Sequence, residues 1–130
     1  MSNYATENLR TLALVGHGSC GKTTLIEAML YRAGMIPEMG SIQRGTTMCD
    51  NDLLEKEVGH SIRLAVAHID TAMTDLTPVR IHILDTPGYP DYLGQDMSAL
   101  DAVKSVCAVI DPTKGPELLT RRLMAMAKER

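Results

Sequence analysis

Apolar residues fall along this chain in short separated bursts, and the spacing inside each burst predicts a different element. Leu12-Ala13-Leu14-Val15 is a continuous apolar run that stops at Gly16, the form of a strand buried on both faces. From Lys22 to Ala33 apolar positions recur at helical spacing, Leu25 with Met29 and Ile26 with Leu30, and Gly34 stands where a helix C-terminal cap belongs. Between Met35 and His60 periodicity is lost, and Pro37, Gly40, Gly45, Asp50 and Asn51 collect. A loop of that length inside a compact domain is usually functional or mobile.

Strand character returns where Ile62, Leu64 and Val66 alternate with Arg63, Ala65 and Ala67. A turn from Thr74 to Pro78 leads into Val79, Ile81 and Ile83, alternating with Arg80 and His82. The two runs predict an antiparallel hairpin. Leu93, Met97, Leu100 and Val103 predict a helix, and Ser105 to Ile110 a buried strand. A last helix has Pro116 in its first turn and Leu119, Leu123 and Met126 on one face. Strands alternating with helices predict an α/β fold in three layers, its sheet mostly parallel with one antiparallel edge strand.

The first strand–helix junction carries the chemistry. Gly16-His17-Gly18-Ser19-Cys20-Gly21-Lys22-Thr23 matches the G-x-x-x-x-G-K-[ST] pattern of a P-loop NTPase. Its glycines let the backbone wrap a phosphate with successive N–H groups pointing inward, and the helix that follows adds its positive dipole end. Lys22 supplies charge to the β- and γ-phosphates, and the Thr23 hydroxyl can ligand magnesium. Asp85-Thr86-Pro87-Gly88 closes a predicted strand. There Asp85 can hold magnesium through water, and the Gly88 N–H can meet the γ-phosphate.

Composition narrows the setting. A chain of 130 residues with 45% hydrophobic and 22% charged residues fits one soluble globular domain. No apolar run approaches the ~20 residues that span a bilayer, and the N-terminus from Met1 to Glu7 has no signal-peptide pattern. A cytoplasmic protein without a membrane contact is expected. Cys20, Cys49 and Cys107 are odd in number and widely spaced, which fits free thiols in a reducing compartment. The four histidines are scattered and form no metal-ligand pattern. Net charge is −3, and the basic residues Arg121, Arg122, Lys128 and Arg130 read as the solvated face of a helix. No direct nucleic-acid patch is expected.

Over nearly its whole length the chain resembles the N-terminal GTPase domain of elongation factor G, and more closely its elongation factor G-like paralogues. The resemblance rests on Gly16-His17 through Thr24, on Gly45-Thr46-Thr47-Met48-Cys49-Asp50, and on Asp85-Thr86-Pro87-Gly88-Tyr89-Pro90-Asp91-Tyr92. It implies that residues 1–130 are the front part of a translational GTPase domain, with Met35 to His60 as first switch and Gly88 onward as second. It implies GTP and GDP as ligands, magnesium as cofactor, and the ribosome as a partner met largely through further domains. Gly16 to Thr24, Asp85 and Gly88 would then hold nucleotide. Thr23, Ser61 and Asp85 would hold the metal, and Lys22, Gly88 and Tyr89 would serve catalysis.

Departures from the family pattern carry their own expectations. Val58-Gly59-His60-Ser61 replaces the usual Arg-Gly-Ile-Thr, Ser19 replaces an aspartate, and Tyr89 replaces the histidine that orients the attacking water. Tyr89 predicts slow hydrolysis, or a nucleotide-dependent binding module with little hydrolysis of its own. The guanine-reading Asn-Lys-x-Asp is absent. The chain therefore reads as a truncated domain, with the strand from Ser105 as an unpaired edge, and a P-loop ATPase or kinase stays open.

Overall fold

The structure, a computed structural model, describes residues 4–50 and 52–130. Met1 to Asn3 and Asn51 lie outside the described residues. Four strands form one sheet in the order β2-β3-β1-β4. They are β1 (Leu9–Val15), β2 (Ala65–Ala72), β3 (Pro78–Asp85) and β4 (Ser105–Ala108). β1 pairs in parallel with β3 and β4, whereas β2 runs antiparallel to β3 at the edge. The predicted mixed sheet, with its antiparallel edge strand, is present.

Alternation along β1 makes the three layers. Leu14 joins Ile26, Leu30 and Ile83 in a core under helix α1 (Lys22–Arg32). Ala13 and Val15 point the other way, into a core with Ala99, Leu100 and Leu123. Those come from α3 (Leu93–Ala102) and α4 (Leu118–Lys128). Because the central strand is covered on both faces, its sequence is a continuous apolar run and not an alternating one.

The structure corrects the sequence reading in several places. The segment from Met35 to His60 is not all loop, for it contains helix α2 (Leu53–Val58). Asp52 and Glu55 form a capping box that starts it, and Gly59 in a left-handed conformation ends it. Leu53, Leu54 and Val58 are exposed while Glu55 is buried, so the helix has no apolar stripe to betray it.

β2 begins at Ala65, not Ile62, and with opposite phase: Val66 is 63% exposed, while Ala67 and Ile69 are buried. The amides of Ile62 and Arg63 both donate to Glu55 Oε1 at 2.9 Å, so these residues bond a carboxylate instead of a ladder. A one-residue change in phase turns every side chain to the other face.

Met97 is partly exposed, and α3 buries Asp96, Ala99 and Leu100 instead. β4 is shorter than predicted and only half-buried, because it is the edge strand of the described sheet. Pro116 precedes Glu117, the residue that caps α4, and so lies outside that helix.

Candidate functional site

Leu14 of β1 lies beside Asp85 of β3 in the parallel register. The loop 16–21 and the turn 86–89 therefore leave the sheet side by side, at its carboxyl end, where ligands of open α/β sheets bind. α1 starts at Lys22 behind the capping residue Gly21, and its first backbone bond runs from Leu25 N to Gly21 O. The N–H groups of Lys22, Thr23 and Thr24 precede that bond and lie at the positive end of the helix.

Lys22 is buried, and its ammonium donates to the carbonyls of Gly16 at 3.0 Å and His17 at 2.9 Å. Gly88 lies against it with φ +77°, and a methyl group there would collide with Lys22 Nζ and the Gly16 carbonyl. Only glycine satisfies both the left-handed backbone and that close approach.

Asp85 is completely buried. Its Oδ2 accepts from the Thr23 hydroxyl at 2.6 Å, and Thr23 Oγ1 lies 3.2 Å from Ser61 Oγ. Asp85 Oδ1 has no hydrogen-bond partner. Burial pushes the Asp85 carboxyl up to about 6, opposed by the Thr23 hydrogen bond and the Lys22 charge. Buried polar atoms are normally satisfied. An orphaned carboxylate oxygen beside two hydroxyls is a set of hard oxygen donors, and it fits magnesium, which takes few protein ligands and keeps water and substrate phosphate for the rest.

Two residues of this cleft carried no assigned role in the sequence. Asp50, buried, accepts from Ser61 Oγ at 2.7 Å and from Thr47 Oγ1 at 3.1 Å. His60 faces Tyr89, their ring centroids 4.5 Å apart. Asp50 ends one of the stretches that carry the resemblance and His60 lies where the chain departs from the family pattern, but neither position indicated a contact in this cleft. Glu27 of α1 holds that segment from below, accepting from Gly40 N at 3.0 Å and Met48 N at 2.5 Å. Burial, with the carboxylates of Asp85, Glu27, Asp50 and Glu55 around it, pushes the Cys49 thiol far up, which makes it unreactive.

Not every predicted site residue faces this cleft. The His17 N–H donates to Thr120 Oγ1 of α4 at 3.2 Å, and its imidazole lies 3.5 Å from Glu117. Thr24 is exposed and borders the loop 39–43 instead. Cys20 Sγ lies 3.8 Å from Lys22 Nζ. Ser19 has φ +62°, and its hydroxyl lies 3.3 Å from the Tyr89 hydroxyl. The Tyr89 ring covers Gly18, where a methyl group would overlap it. Covered by Tyr89 and His60, the cleft encloses about 50 Å³, well below the ~300 Å³ at which small-molecule pockets begin.

Residues 7–130 match the family model described as the elongation factor Tu GTP binding domain. Tetracycline resistance protein TetM from transposon Tn1545 of Enterococcus faecalis is 36% identical over 112 residues, which is 86% of this chain and 17% of that protein. An elongation factor G-like protein of Mycobacterium tuberculosis is 36% identical over 115 residues, 88% of this chain and 15% of its own. A crystal structure of a Thermus thermophilus protein superposes with a TM-score of 0.83 at 34% identity, over 92% of this chain and 17% of that one. The bacterial selenocysteine-specific elongation factor EF-Sec gives a TM-score of 0.69 at 26% identity, with the same coverage. The fold is that of the P-loop NTPases. The chain spans under a fifth of the length of these relatives.

Proposed function

The chain belongs to the elongation factor Tu GTP binding domain family, and on that premise we propose that it is the phosphate-binding part of a translation factor of elongation factor G type. The whole protein binds GTP with magnesium and hydrolyses it to GDP and phosphate on the ribosome, in the cytoplasm. One observation carries this reading: Thr23 donates to the buried Asp85, which keeps an unpartnered oxygen, and the same Thr23 hydroxyl meets that of Ser61.

Lys22, held by the Gly16 and His17 carbonyls, presents its charge to the β- and γ-phosphates. The Gly88 N–H approaches from the turn after β3, and the loop amides with the α1 terminus supply further donors. Thr23, Ser61 and Asp85 would hold magnesium, which when bound neutralises phosphate charge. Phosphoryl transfer depends mainly on such positioning and charge stabilisation. Resemblance to proteins named as elongation factors supports translation as the setting. The ribosome is met largely through the rest of the protein, as expected for a chain of net charge −3.

The test is calorimetry on the complete protein with Lys22→Ala. GTP binding is expected to fall below detection, and unchanged affinity would refute the phosphate site. Competition between GTP and ATP on the same protein separates a GTPase from a P-loop ATPase or kinase. A second reading, a nucleotide-dependent binding module with little hydrolysis, is favoured by Tyr89, whose hydroxyl lies near Ser19. Single-turnover hydrolysis with and without ribosomes distinguishes it from the first.

A further inference from the structure

Hydrolysis of a phosphoanhydride needs one group with a free lone pair to orient water against the γ-phosphorus. The side chains of the cleft can be sorted by that requirement. Lys22 has no lone pair. Thr23 donates to Asp85, and Ser61 donates to Asp50. The Thr86 hydroxyl donates to the Leu14 carbonyl at 2.8 Å. The hydroxyls of Ser19 and Tyr89 face each other at 3.3 Å.

His60 is left. It lines the same cleft as Lys22, Thr23 and Ser61, and is half-buried. Its Nδ1 lies 3.3 Å from the Ser61 carbonyl. A carbonyl oxygen only accepts, so Nδ1 carries the proton in that contact and Nε2 presents its lone pair. The end of α2 accounts for this placement. Gly59, left-handed at φ +73°, bonds back to Glu55 O at 2.8 Å and turns the chain so that His60 and Ser61 both enter the cleft. The Tyr89 ring then backs the imidazole at 4.5 Å.

Resting on the GTPase reading above, we propose that His60, in the first switch, is the catalytic residue that orients the attacking water, and that Tyr89 positions it. Water donates one hydrogen bond to His60 Nε2 and directs its oxygen at the γ-phosphorus. The new P–O bond forms as the bond to the β–γ bridging oxygen breaks, and that electron pair leaves on GDP. The displaced water proton departs with the released phosphate, and the imidazole is unchanged over the turnover. Tyr89 contributes a tilted packing surface against the imidazole, not the lone pair.

The test compares His60→Ala, His60→Gln and His60→Phe in the complete protein, by GTP affinity and by single-turnover hydrolysis with ribosomes. His60→Ala is expected to bind GTP within about twofold of wild type and to hydrolyse it roughly 10²-fold more slowly, the lower range for loss of a positioned acceptor. His60→Gln, which keeps an acceptor, is expected to recover part of that loss. His60→Phe, which keeps only the ring against Tyr89, is expected to recover none. Recovery by Phe and not by Gln would assign His60 a packing role and overturn the inference. So would a His60→Ala turnover equal to that of a wild type that binds GTP. A wild type that fails to bind GTP overturns instead the reading on which this one rests.

Discussion

Asp85 illustrates how single residues in this site trade stability for binding. Its carboxyl is lifted to about 6, first by burial. Between its ordinary value near 4 and this raised one, the folded protein holds a proton that the unfolded chain has released. Stability of the metal-free protein therefore falls as pH rises through that window and is level above it. Asp85→Asn removes the dependence. Thermal melts in chelator should show the variant more stable than wild type above pH 6, by up to roughly 3 kcal/mol, with the difference vanishing near pH 4. The same variant should lose magnesium-dependent nucleotide affinity. A destabilised variant at pH 7 would contradict this account of Asp85. Lys22, Thr23 and Asp85 were legible in the sequence because their motifs fix residue type and spacing. Asp50 was not, because it acts through the Ser61 hydroxyl, a contact that spacing does not encode.

At the scale of elements, the irregular segment from Gly40 to Arg63 is anchored by the buried carboxylates of Glu27 and Glu55. Glu27 binds the amides of Gly40 and Met48, and Glu55 binds those of Ile62 and Arg63. Hydrogen bonds to charged groups contribute about 1.5–3 kcal/mol each. Glu27→Ala is therefore expected to speed hydrogen exchange at Gly40 and Met48 by roughly 10–100-fold, while exchange in β1 changes less. Equal acceleration in both places would mean that Glu27 supports the whole fold and not this segment. This form of support also explains why α2 and the start of β2 escaped hydrophobic periodicity. An element anchored through its carboxylates and amides leaves no apolar pattern behind.

On the scale of the whole molecule, the described sheet has two free edges, one along β2 and one along β4. β4 is short, and Cys107 on it is exposed and carries a free thiol. Unpaired strand edges template association, and a charged residue on the edge suppresses it. The 130-residue chain alone is expected to self-associate in sedimentation velocity under reducing conditions, and Cys107→Lys should shift it toward monomer. A wild-type chain that stays monomeric at high concentration would argue that β4 is not a sticky edge. The loop that leaves the carboxyl end of β1 is tied across the sheet. His17 bonds Thr120 of α4, so the phosphate loop is joined to a helix that begins about a hundred residues later.

The order of strands and helices, the phosphate loop and the turn at Asp85 follow from sequence, because each depends on local regularities. Apolar residues repeat at the period of the element, glycines stand where the backbone needs them, and a lysine and a threonine open a helix. The mixed sheet with its antiparallel edge also followed, since hairpin spacing and crossover length constrain pairing. Only the tertiary structure decided that Ser61 reaches the Thr23 hydroxyl beside Asp85, that His60 faces Tyr89, and that the His17 amide turns to α4. Those contacts join residues far apart in the chain through side-chain hydrogen bonds and ring packing. Sequence periodicity carries no record of such contacts, since each is set by where separate elements come to rest on the sheet.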